Sequence, residues 1–207
     1  MSDQFQNIRD DLAFMRALAE EGRRAPLIGG SIMAVAGAAF GTASLVIWAT
    51  LRGWLPGGTA VHAWAWTASA LVFMSFLFLT KGRLRQRPGA HAASNRAVGA
   101  AWSGAGFAIF AVFLAFVVAS VTTREPIIMS LFGPVILAFY GAAWALAAAM
   151  SDRAWLKGVA AVALIACVGV ASLAGQPDQF LAYAAALVLT ALLPGLALMR
   201  QAPSDVI

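Results

Sequence analysis

Of 207 residues, 61% are hydrophobic and only 11% are charged, whereas about a quarter of a soluble domain is charged. The net charge of +5 comes from cations clustered beside apolar blocks. This argues against a nucleic-acid-binding surface and suits an anionic membrane leaflet. The single cysteine, Cys167, lies inside an apolar block, so neither a disulfide framework nor a Cys-rich metal site is expected.

The chain opens with a segment, residues 1–24, whose Ser2–Glu21 stretch predicts a short cytoplasmic amphipathic helix. Ser2 or Asp3 can cap it, and Gly22 can stop it ahead of Arg23 and Arg24. Phe5, Ile8, Leu12 and Met15 recur in a narrow heptad-like stripe, which makes them candidate partner contacts. Helices that lie on lipid are usually rich in Lys and Arg. Here Asp3, Asp10, Asp11, Glu20 and Glu21 face four arginines, so contact with protein is expected ahead of contact with lipid: the chain's own cytoplasmic face, a second protein or a second copy. A cleaved signal peptide is not expected, because the first apolar block starts only at Pro26 and follows this acidic segment.

Residues 25–200 predict a single all-α, polytopic membrane domain. Six apolar blocks approach or exceed the length of about 20 residues that crosses a bilayer: Pro26–Ala49, Val61–Thr80, Val98–Val121, Pro126–Met150, Leu156–Ala174 and Gln179–Met199. The stretch Lys81–Arg96 carries five cations and no acid, and basic loops stay on the cytoplasmic side. With that loop inside, twelve of the 14 Lys and Arg residues fall on the cytoplasmic side, and only Arg52 and Arg124 lie outside. Both termini, including the tail 201–207, are therefore expected in the cytoplasm. Heavy use of Ala, Gly and Arg points to a bacterial inner membrane.

Within the first block, Gly37-x-x-x-Gly41 allows close backbone approach. The third block is rich in small residues around Gly104 before turning bulky, and its small end is expected to pack tightly. Gly37, Gly41 and Gly104 are the helix-packing candidates, with a homodimer as the alternative use of the first pair. Trp48, Trp54, Trp64 and Trp66 flank the first outer loop as an interfacial belt would. His62 has no second ligand nearby in sequence, so no metal is expected. Arg124 and Glu125 are expected to pair weakly in water.

Pro134 and Pro194 interrupt the fourth and sixth blocks. Each removes the hydrogen bond to a carbonyl four residues back, on Ser130 and Thr190 respectively, and a nearby hydroxyl can help satisfy such groups. Both are kink candidates. A weak internal match aligns Arg24–Gly41 with Arg124–Gly141 at six of eighteen positions. A true repeat offset by three spans would be inverted across the membrane.

Ionisable side chains are confined to the ends of the six blocks. Buried carboxylates that relay protons are therefore not expected, nor is a serine nucleophile with a basic partner. No phosphate-binding glycine loop or HExxH helix occurs. The expectation is a non-catalytic accessory or regulatory membrane protein without cofactor, metal or nucleic-acid partner, acting through its N-terminal helix and the basic stretch 81–96. The alternative is a small channel or facilitator for a neutral solute, using the proline-broken fourth and sixth spans.

Overall fold

The apolar blocks become helices in a computed structural model of the chain, which describes residues 8–9, 11–15, 26–87 and 89–201. Among the described residues there is no strand. Helix α1 (Gly30–Leu51) starts after Gly29, whose φ of 120° lies where a side chain would be strained. α2 spans Thr59–Arg85 and α3 spans Ala93–Thr123. A 3₁₀ turn, Pro126–Leu131, runs directly into α4, Phe132–Met150. α5 is Trp155–Ala171. The final apolar segment divides into α6 (Asp178–Leu187), a π turn at Val188–Leu192 and α7 (Leu193–Gln201).

Five of these segments are long and apolar enough to cross a membrane: Gly30–Leu51, Thr59–Arg85, Ala93–Thr123, Pro126–Met150 and Asp178–Gln201. The chain therefore has the form of a multi-pass integral membrane protein. The expected span Leu156–Ala174 differs. Its helix holds 17 residues, about 26 Å at 1.5 Å per residue against a hydrocarbon core of about 30 Å. Turns follow it through Gly175, at φ 80°, and Pro177 then precedes α6.

The basic stretch is also more helical than expected. Lys81–Arg85 extends α2, and Ala93–Arg96 already belongs to α3, leaving a short turn between. Lys and Arg are good helix formers, and Arg83 and Arg85 sit in the last turn of α2, where the helix dipole favours cations. At its other end α3 closes on Arg124, a non-glycine residue in the left-handed region at φ 59°. Such a conformation costs an L-residue about 1 kcal/mol. Arg124→Gly is thus expected to raise stability by about that amount, measured as a melting midpoint about 2–4 °C higher. Arg124 and Glu125 do not pair; among the described residues the ion pair is Arg52–Asp178.

Hydrophobic burial does little to associate helices in lipid, so close packing and interhelical hydrogen bonds carry the fold. α4 and α5 form the most extensive pair. α1 lies between α2 and the final segment, and α4 lies between α5 and α3, whereas α2 and α3 scarcely touch. An inverted repeat would exchange α1 and α4 in the same way, although the contact between α5 and α6 has no counterpart between α2 and α3. The innermost side chains are Ile47, Leu137, Trp144, Leu156, Leu187 and Thr190.

Small residues set the distance between α1 and the final segment. A Cβ at Gly30 would lie 2.6 Å from the carbonyl oxygen of Gly195, and one at Gly37 would lie 2.5 Å from the backbone nitrogen of Leu192. Most membrane hydroxyls bond back into their own helix, as Ser44 does to Phe40 and Thr50 to Val46. Ser69 instead crosses from α2 to the Ala39 carbonyl of α1 at 2.9 Å.

Candidate functional site: the Asn95 junction and the proline breaks

Three polar constellations stand out against the apolar packing of the helices. The first is at the end of the bundle that carries the basic stretch. Asn95 lies in the first turn of α3 and is 9% exposed. Its Nδ2 donates to the carbonyls of Pro26 and Gly89, each at 2.9 Å, and its Oδ1 accepts the Ile28 N–H at 3.0 Å. A carboxamide offers two donors and an acceptor on one rigid plane, and here all of them engage backbone. One side chain thus ties the chain entering α1 to the turn of the basic stretch. Sequence reasoning passed over Asn95. The available signal was a lone carboxamide within the first turn of a long apolar helix, just after a glycine-containing turn.

The second constellation surrounds the two prolines. Pro134 lies in the first turn of α4, directly after the 3₁₀ turn, so the interruption is a junction of two helix types rather than a bend in mid-helix. The Ser130 carbonyl, left without an α-helical partner, accepts the Gln179 Nε2 of α6 at 2.6 Å. Pro194 follows the π turn, and the Thr190 carbonyl accepts the Trp144 indole N–H of α4 at 2.8 Å. The expected hydroxyl rescue does not occur at either break. The Thr190 hydroxyl donates to Ala186, and the Ser130 hydroxyl donates to Ile127. Side-chain N–H groups from another helix do the work because they reach across the interface, whereas a local hydroxyl is held over its own preceding turn.

At the far end of α1, Arg52 and the Trp48 indole both reach Asp178, the first residue of α6. Arg52 Nη2 lies 2.5 Å and 2.6 Å from the two carboxylate oxygens, and Trp48 Nε1 donates at 3.1 Å. The acid also complements the α6 dipole. Trp48 stacks edge-on against Trp54 at 4.7 Å, so this pair packs as a structural corner. The Nε2 of His62 is buried without a hydrogen-bond partner among the described residues. No group of three or more His, Cys, Asp or Glu that could hold a metal occurs among the described residues.

The remaining sequence candidates fall as follows. Ile8, Leu12 and Met15 lie in helical residues and are 52%, 56% and 58% exposed; Phe5 and the tail 202–207 lie outside the described residues. Gly37 faces Leu192 in the π turn, and Gly41 faces Ala184, whose oxygen is 4.0 Å from an added Cβ. Gly104 faces open space. With Ala101, Ala105 and Ala108 it lines an apolar groove of about 230 Å³ against Phe139 and Leu146 of α4. The tightly packed part of α3 is instead its first turns, at Ser94, Asn95 and Val98. No family model, curated protein or solved structure matches the chain.

Proposed function

We propose that this protein is a non-catalytic accessory or regulatory subunit of a bacterial inner membrane. In this reading it has six spans and both termini in the cytoplasm, and it engages a partner through its N-terminal helix and the basic stretch 81–96. The observation that carries the proposal is the Asn95 junction. It holds the backbone at Pro26–Ile28, where the chain leaves the N-terminal segment, against the turn at Gly89. In this reading the N-terminal segment, in which Ile8, Leu12 and Met15 are exposed, and the cationic stretch both contribute to the partner-binding face. Exposed apolar residues in a segment whose sequence carries charge of both signs suit a protein partner better than a lipid surface.

The membrane-embedded part serves as a support in this reading. The facilitator alternative needs free backbone groups at the proline breaks to line a path. The Ser130 and Thr190 carbonyls, freed by those prolines, are both occupied by side chains of the protein itself.

The test is affinity purification from native membranes of the full-length chain and of a version lacking residues 2–21. A stoichiometric partner retained by the full chain and lost on truncation is the expected result. A partner set unchanged by the deletion would end the proposal. A lone homo-oligomer in both samples, with solute flux in liposomes above that of empty vesicles, would replace it with the facilitator.

A further inference from the structure

We infer that α4 and the final segment are joined by a reciprocal lock, in which each supplies the side-chain N–H that the other's proline withholds. Pro134 frees the Ser130 carbonyl and Gln179 of α6 caps it; Pro194 frees the Thr190 carbonyl and Trp144 of α4 caps that. Neither donor is available to water. Gln179 is 5% exposed and Trp144 is 1% exposed. A buried amide or indole N–H without a partner is costly, and so is a buried carbonyl. The two needs cancel across the interface, once in each direction.

The spacing makes this a register device. Ser130 and Trp144 stand fourteen residues apart on one segment, and their partners Gln179 and Thr190 stand eleven apart on the other. At helical rise the caps are therefore roughly 20 Å apart, on two segments running the same way. Sliding or rotating one segment by a single residue would break both caps together. The π turn fits this arrangement. It lies between Gly37 on one side, which admits the Leu192 backbone, and Trp144 on the other. π turns are rare and need such local support.

The lock makes a selective prediction. Trp144→Phe keeps an aromatic ring facing Trp102 but removes the donor together with part of the indole's volume. It should lower the melting midpoint by about 3–8 °C. Pro194→Ala returns a backbone N–H that can reach Thr190, so in that background the loss from Trp144→Phe should fall to half or less. In the Pro134→Ala background it should stay at full size. Gln179→Leu should behave the other way round, relieved by Pro134→Ala and not by Pro194→Ala. Equal losses in all backgrounds would overturn the lock.

A second measurement needs no variant. In the native protein the Trp144 indole hydrogen should exchange with deuterium at least a hundredfold more slowly than that of Trp54, whose side chain is 70% exposed. Equal exchange would also overturn the inference.

Discussion

Gly37→Ala is expected to destabilise the protein by about 1–3 kcal/mol, toward the upper end of that range, with a fall in melting midpoint of about 3–10 °C. The added Cβ would come within 2.5 Å of the Leu192 nitrogen and 2.9 Å of its Cα. These are backbone atoms in a π turn, so no rotamer change relieves the overlap and the two segments must separate. Dispersion contacts along the whole of their interface would loosen, and in lipid little else draws helices together. Two sister variants bracket the effect. Gly41→Ala meets its nearest neighbour at 4.0 Å, and Gly104→Ala meets nothing within 4 Å. Both should be near neutral, or slightly stabilising because alanine is the better helix former by about 1 kcal/mol. Thermal unfolding of the three variants in one detergent decides the matter, and equal midpoints for Gly37→Ala and Gly104→Ala would refute the packing account. The same series separates internal packing from dimerisation. If Gly37 served a second copy, its substitution would change the oligomer mass and leave monomer unfolding alone.

Asn95→Leu, in the first turn of α3, should have a comparable effect. Leucine keeps the branched heavy-atom skeleton of asparagine, though with bulkier methyls, and leaves the Ile28 N–H and the Pro26 and Gly89 carbonyls without their partner. Unmaking such bonds costs about 1 kcal/mol each where water can enter and more where it cannot, so a loss of about 2–4 kcal/mol is expected. The consequence for function is more specific than the loss of stability. Residues 26–28 would separate from the turn at Gly89, and limited proteolysis from the side of the basic stretch should cleave the 86–92 region faster, while cleavage at the other end of the bundle is unchanged. A uniform rise in cleavage at both ends would mean general unfolding and would count against Asn95 as a local junction. Asn95→Asp should be at least as damaging at neutral pH, since a carboxylate keeps the acceptor for Ile28 but turns an anionic oxygen toward the two carbonyls.

The helical architecture was legible in the sequence because bilayer-length apolar runs leave the backbone few alternatives. The places where reading and structure part each have a local cause. The block at Leu156–Ala174 looked like a full span by hydropathy, but hydropathy does not sense that Gly175 and Pro177 end the helix early. The stretch 81–96 was read as a loop because of its charge, yet its cations are good helix formers and extend two helices. The proline positions pointed to Ser130 and Thr190 as groups in need of a partner. Which side chains answer depends on interhelical geometry that no local pattern encodes, and Gln179 and Trp144 read simply as an interfacial amide and a membrane tryptophan. Asn95 was hidden for the same reason, its partners lying six and sixty-seven to sixty-nine residues earlier in the chain. Periodicity reveals which face of a helix is buried, not which distant segment buries it.

The pairing of α1 with α7 has a consequence for biogenesis. Gly30 and Gly37 meet residues that leave the ribosome only after residues 38–191 have been made. At 5–20 residues per second, the glycine face of α1 waits roughly 8–30 s for Leu192 and Gly195, while α2 can dock at once through Ser69 and Ala39. During that interval the glycine face of α1 lacks the backbone that fills it in the folded protein. A nascent chain stopped before Leu192 would therefore keep that face unpacked, although most of its helices are already made.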